Sequence, residues 1–199
     1  MDMAQGRQAR SLGGRRAGMT VVELMVALVI FAVIIGVVFG FLTEARRSYT
    51  STRQKAQYQQ GLRAVMSLVT REVRSAGCDP RGAGFERFPV ASATQLQCRM
   101  DLNADTDVVD TNPDEDITYA FNAGTGQLTR TAGGTAAVIL RGLTNLQFAY
   151  YDNAGNALAA LPLSATDRAK VRSVDLVMQG ETAKDEPVSY STRIGVRNE

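Results

Sequence analysis

The sequence has no His and no Trp, and only two Cys and five Pro in 199 residues. Without His there is no His-based triad, no His metal ligand and no imidazole proton shuttle. Two Cys cannot build a four-Cys zinc site, so structural zinc is excluded. There is no GxSxG nucleophile turn and no Walker-type phosphate loop; Gly124 and Gly126 lie in a hairpin-like stretch with no helical pattern after it. The chain is therefore expected not to be an enzyme. Cationic excess is also scarce. The formal charge is +2, and residues 1–18 alone hold Arg7, Arg10, Arg15 and Arg16 against Asp2. The rest is close to neutral, with 18 basic and 19 acidic side chains. A nucleic-acid partner is not expected from that balance.

What the sequence does have is one long apolar run. Leu24–Leu42 reads LMVALVIFAVIIGVVFGFL, 19 residues without a charge. As a helix it spans about 28 Å, close to the hydrocarbon thickness of a bilayer. It is apolar on every face, and a domain of this size could hardly surround such a rod. A cleaved secretory signal has a shorter apolar region that ends in small residues, whereas this run is followed by Thr43-Glu44-Ala45-Arg46-Arg47. A retained anchor in membrane lipid is the expectation. Charge does not orient it: four Arg precede the run, and Arg46, Arg47, Arg53 and Lys55 follow it closely.

The entry to this run is unusual. Gly18 separates the basic tail from Met19-Thr20-Val21-Val22-Glu23, and Glu23 is a lone carboxylate at the edge of the apolar block. An acid in hydrocarbon is costly unless compensated; the alternative is an acid wetted at headgroup level. The stretch RRAG-MTVVELMVALVIFAVIIG resembles the N-terminal signal of type IV prepilins and type II secretion pseudopilins, over about residues 13–42. The resemblance implies cleavage by a prepilin peptidase between Gly18 and Met19, methylation of Met19, and Glu23 as the fifth mature residue. Met19 departs from the Phe usual in the family. A new α-amine on Met19 would be largely cationic at neutral pH. Glu23 could then neutralise its own amine or that of an adjacent subunit, fixing assembly register, because either charge left alone in a low dielectric is penalised.

Beyond Leu42 the helix is expected to continue. Thr43–Ala76 has no Pro, and Leu62, Val65, Met66, Val69 and Val73 recur at helical spacing. Gly77 and Pro80 form a stop. Short strands are expected over Gln95–Met100, Asp116–Phe121, Gln127–Arg130, Ala137–Leu140, Thr144–Tyr151, Val171–Gln179 and Ser189–Val196, with turns at 122–126 and 152–156. The fold class is α+β and pilin-like: a long N-terminal transmembrane helix that continues into a head with an antiparallel β-sheet. The expected division is a leader over 1–18, a transmembrane or filament-core helix over 19–42, an amphipathic continuation over 43–77 and a β-rich head over 78–199. Arg71-Glu-Val-Arg-Ser-Ala-Gly-Cys78, followed by an acidic loop and Glu115-Asp-Ile-Thr-Tyr119, resembles minor pilins of the PilW type and J-type pseudopilins.

Cys78 and Cys98 are 20 positions apart. With the head outside the cytoplasm a disulfide is the expectation, contributing about 3 kcal/mol for such a loop; two buried free thiols are the alternative. Residues 101–116 hold seven acids and no Lys or Arg. Asp101, Asn103, Asp105 and Asp107 alternate like the start of a calcium loop, with Asp110, Asp114, Glu115 or Asp116 able to add a late ligand. Thr106 stands where an EF-hand needs Gly, and Asn112 where it needs Glu. A solvated turn with Asx hydrogen bonds is the preferred reading, and calcium the alternative.

The function implied is a minor pilin for type IV pilus assembly, priming the filament tip. A J-type pseudopilin of type II secretion is the alternative, and a membrane-anchored periplasmic binding module is a second. The implied partners are the prepilin peptidase, other minor and major pilins or pseudopilins, and the inner-membrane assembly platform. The implied location is the bacterial inner membrane with the head in the periplasm, then the pilus or pseudopilus.

Overall fold

The computed structural model describes residues 18–181 and 187–196. The leader expected over 1–18, with Arg7, Arg10, Arg15 and Arg16, lies outside the described residues except for Gly18. The chain divides into two units, Met1–Ser48 and Tyr49–Glu199.

In the first unit, residues 18–20 are non-helical and α1 (Val21–Ser75) begins directly after them. Thr20 starts the helix in two ways. Its carbonyl accepts the first helical bond, from Leu24 N at 3.1 Å. Its Oγ1 accepts from Glu23 N at 3.3 Å, which satisfies one of the backbone donors left over at a helix start. The apolar stretch that follows is long enough to cross a membrane, and none of its most apolar part is buried. Thr43 Oγ1 donates back to the carbonyls of Phe39 (2.6 Å) and Gly40 (3.0 Å), so the hydroxyl is satisfied without solvent at the polar end of that stretch.

In the second unit, the last turns of α1 bury Leu62, Val65, Val69, Glu72 and Val73. The helix stops where Gly77 takes φ +78°. Gly77 N donates to Arg99 O at 2.8 Å, and a Cβ there would stand 2.6 Å from Arg87 Nε. Both the left-handed backbone and the close approach therefore call for glycine.

Among the described residues the head holds two antiparallel sheets, in keeping with the α+β class expected. The first has the order β1 (Gln95–Arg99), β2 (Asp116–Asn122), β3 (Gln127–Ala132), β4 (Thr135–Leu140). The second has the order β5 (Leu143–Tyr151), β6 (Ser173–Glu181), β7 (Pro187–Gly195). Each follows chain order, so every neighbour is a simple antiparallel return. The segment just before β1 ties the sheets together: Phe121 N of β2 donates to Thr94 O at 2.9 Å, and Phe148 N of β5 donates to Ala93 O at 2.8 Å. Tyr150 Oη adds a bond to Ser92 O at 2.8 Å.

One apolar core joins these parts. It contains the α1 stripe, Leu96, Ile117, Tyr119 and Leu128 of the first sheet, and Leu146, Phe148, Tyr150, Leu176 and Met178 of the second. Each fully enclosed Leu, Val or Phe contributes about 1.5–3 kcal/mol relative to exposure. The strands alternate as a half-buried sheet should: β2 has Ile117, Tyr119 and Phe121 inward, with Thr118 and Ala120 less buried between them.

A short helix, α2 (Ala165–Lys170), lies between β5 and β6. Ser164 is its N-cap, with Oγ accepting from Asp167 N at 3.2 Å. The Ser-x-x-Asp spacing was the available sequence signal. Val171 becomes the cap of this helix, so β6 begins at Ser173 rather than at Val171.

Candidate functional site

The first candidate site is the junction at residues 18–23. Gly18, Met19 and Thr20 form an exposed, non-helical segment immediately ahead of α1, and Met19 is 68% exposed. A peptide bond in a peptidase has to be accessible and outside regular helix, and the Gly18–Met19 bond is both. Among the described residues no atom lies within 4 Å of where a Cβ on Gly18 would stand, so none of them calls for glycine at 18.

Glu23 is the third residue of α1. A carboxylate in the first helical turn lies near the partial positive charge of the helix N-terminus. Thr20-x-x-Glu23 also has the spacing of a capping box, and the Thr20 half of it is formed. This local role for Glu23 was legible in the sequence but overshadowed there by the apolar run. It is compatible with a further role between subunits, since the side chain is exposed.

The second region is the acidic loop between β1 and β2. Its residues part into two groups. Asp101 is fully buried and braces the loop: its Oδ1 accepts from Ala104 N at 2.6 Å and its Oδ2 from Thr106 N at 3.1 Å. Ala104 and Thr106 carry positive φ, +63° and +82°, and these two bonds hold that backbone in place. Asn103 Nδ2 donates to Asp105 Oδ2 at 2.9 Å and, at still shorter range, to Asp110 Oδ2. Asp101 and Asn103, ligands in the calcium alternative, here make hydrogen bonds within the loop itself.

Asp105, Asp107 and Asp110 do converge, and Glu115 joins them: one carboxylate oxygen of each lies within 4.8 Å of the others. Hydrogen bonding from Asp107 N and Asn103 holds the Asp105 carboxyl below the usual range. Partial desolvation and the neighbouring Asp105 charge push Asp110 up. Glu115 continues the inward face of β2, two residues ahead of Ile117, and is buried with it.

Cys78 and Cys98 are free thiols in this structure. Cys98 faces the core from β1 and is fully buried, and burial pushes its thiol far up, away from the reactive thiolate. Cys78, just past the end of α1, is held by its carbonyl to Asp101 N at 2.7 Å. That bond sets it alongside Asp101, beyond the end of β1, while the Cys98 side chain points inward.

Comparison with known families bears on the first site alone. Residues 14–39 match the family model described as the prokaryotic N-terminal methylation motif. No curated protein matches the chain. The matched stretch contains Gly18, Met19, Thr20 and Glu23 and runs into the exposed apolar part of α1. The chain thus carries a prokaryotic N-terminal methylation motif at the start of a long apolar helix and antiparallel β-sheets further along the sequence, an organisation consistent with a type IV pilin-like protein.

Proposed function

We propose that the protein is a minor pilin, cut by a prepilin peptidase between Gly18 and Met19, methylated on Met19, and inserted into a type IV pilus where it primes assembly at the tip. The observation that carries this reading is the methylation motif over residues 14–39, placed on an exposed junction ahead of a bilayer-length apolar helix. Before assembly the helix rests in the inner membrane with the head in the periplasm. Its exposed apolar surface then exchanges lipid for the helices of neighbouring subunits. Gly36 and Gly40 have open space around them within the single chain, which allows close approach by another helix. Glu23 pairs with the new amine of an adjacent subunit and sets the register, because in a low dielectric either charge is penalised without the other.

The pattern Arg71–Cys78 resembles PilW-type minor pilins and J-type pseudopilins of type II secretion alike; the pseudopilin is the second reading. Intact-mass and N-terminal analysis of the protein extracted from its native host tests the common part. A chain beginning at methylated Met19 is expected. A chain that keeps Arg15-Arg16-Ala17-Gly18 overturns both filament readings and leaves a membrane-anchored binding module. Deletion in the host then separates the two: loss of surface pili marks the minor pilin, and loss of protein export with pili intact marks the pseudopilin.

A further inference from the structure

The acidic loop contains an arrangement that its internal hydrogen bonds do not complete. Glu115 is fully buried. Its Oε1 accepts from Leu102 N at 2.7 Å and Asn103 N at 3.2 Å, yet its Oε2, equally buried, has no hydrogen-bond partner. A buried carboxylate oxygen without a donor is costly, and most such atoms in folded proteins have a partner. Three further carboxylates, from Asp105, Asp107 and Asp110, bring an oxygen within 4.8 Å of Glu115 and of one another. Residues 101–116 supply no Lys or Arg to balance them.

We propose that Asp105, Asp107, Asp110 and Glu115 bind one calcium ion. The donors are all oxygen, which selects a hard cation over zinc or copper. Four carboxylates, each able to bind through one or two oxygens, supply the six to eight contacts that calcium takes, and an irregular loop suits its flexible geometry better than the strict octahedron of magnesium. The ion gives the orphaned Glu115 Oε2 a partner and offsets the mutual repulsion of the four acids. It also takes over the bridging of Asp105 and Asp110 that Asn103 Nδ2 performs. Asp101 stays outside the ligand set, because both its oxygens hold loop backbone. The inference is independent of the filament reading, since it concerns the head alone and stands whether or not the leader is cut.

The test uses the full chain in detergent, stripped with a chelator and titrated calorimetrically with CaCl2 and separately with MgCl2. One calcium per chain is expected, with magnesium at least tenfold weaker. Glu115→Gln keeps the backbone acceptor but replaces one carboxylate oxygen; since it is buried, Asp107→Asn and Asp110→Asn serve beside it. Both lie nearer the surface, and their amides can still accept the bonds from Val109 N and Asn103. Each should weaken calcium at least tenfold, and saturating CaCl2 should raise the thermal midpoint of the wild type more than that of either variant. The absence of calcium binding at 10-millimolar-scale CaCl2 (about that concentration covers the weakest loop sites), equal affinity for magnesium, or unchanged affinity in both Asp variants would each overturn the site.

Discussion

Glu72 of α1 accepts a hydrogen bond from the phenol of Tyr119 in β2, a contact between the buried end of the helix and the inner face of the first sheet. Arg130 of β3 closes the group, with Nη2 at 2.9 Å from Glu72 Oε1 and Nε at 3.2 Å from Glu72 Oε2. Arg130 Nη2 also reaches Asp114 at 3.0 Å. Burial works against the guanidinium charge, but its bonds to Glu72 and Asp114 prevail and keep it protonated. Burial and the bond to Glu72 likewise hold the Tyr119 proton in place. Helix and sheet are thus pinned by a polar cluster at the edge of the apolar core, with Glu72 among its buried members. Glu72→Ala takes away the Tyr119 phenol's acceptor and leaves Arg130 with Asp114 alone, and is expected to destabilise the head by about 3 kcal/mol. Tyr119→Phe removes one charge-assisted bond and is expected to cost about 1.5 kcal/mol. Chemical denaturation of the detergent-solubilised chain measures both. A smaller loss for Glu72→Ala than for Tyr119→Phe contradicts the arrangement.

A second pin depends on a missing side chain. Tyr58 Oη donates to Gly142 O at 2.7 Å, and a Cβ on Gly180 would lie 1.8 Å from that hydroxyl. Gly180→Ala should therefore destabilise the head by about 1–3 kcal/mol through overpacking. Tyr58→Ala in the same chain should recover part of this, so that the double mutant is more stable than the sum of the singles predicts. Strict additivity in the denaturation midpoints would count against the clash.

Because no atom of the described residues crowds Gly18, Gly18→Ala is expected to leave the circular-dichroism spectrum and membrane insertion unchanged while blocking conversion to the mature mass. The readout is the ratio of precursor to mature chain in the native host. Normal processing of this variant would show that glycine at 18 is not read by a peptidase.

Thr20 and Glu23 can be separated experimentally. Thr20→Ala removes the N-cap and should weaken the first turn of α1 by about 1 kcal/mol, seen as faster amide exchange at residues 21–24 with filament incorporation retained. Glu23→Ala should leave insertion intact and sharply reduce incorporation. Equal incorporation of the two variants would reduce Glu23 to a capping residue.

Acid should weaken the head through carboxyls whose native pKa is depressed. The amides of Gly84 and Ala83, at 2.8 Å each, hold Asp79 below the usual range, and Arg193 does the same for Asp175. A carboxyl of this kind contributes stability above its unfolded pKa, about 3.9, and loses it as pH falls through the lower native value. The denaturation midpoint should hold steady from neutral pH to about 5 and then fall. Asp79→Asn should flatten the acid limb; an unaltered limb would assign the acid loss to other groups.

The strands were largely legible because their alternation is local. β1, β2 and β5 begin or end within a residue or two of where apolar alternation and turn residues place them. The stripe Leu62, Val65, Val69, Val73 was legible for the same reason, since its spacing is that of one helix face. Glu72 was not. It sits among these residues as an ordinary charge, and only Tyr119 and Arg130, 47 and 58 positions away, explain its burial.

The sequence by itself determined the junction at Gly18–Glu23, the bilayer-length run and the α+β class. Each rests on neighbours in the chain: a helix start needs its own next four residues, and hydrophobic length is additive along a segment. Tertiary structure decided the division into two sheets, the setting of Cys78 beside Asp101, and which acids converge. Those outcomes depend on which distant backbone atoms meet. The bond that sets Cys78 alongside Asp101 and the packing that buries Glu115 beside Asp105, Asp107 and Asp110 exist only once the chain has folded back on itself.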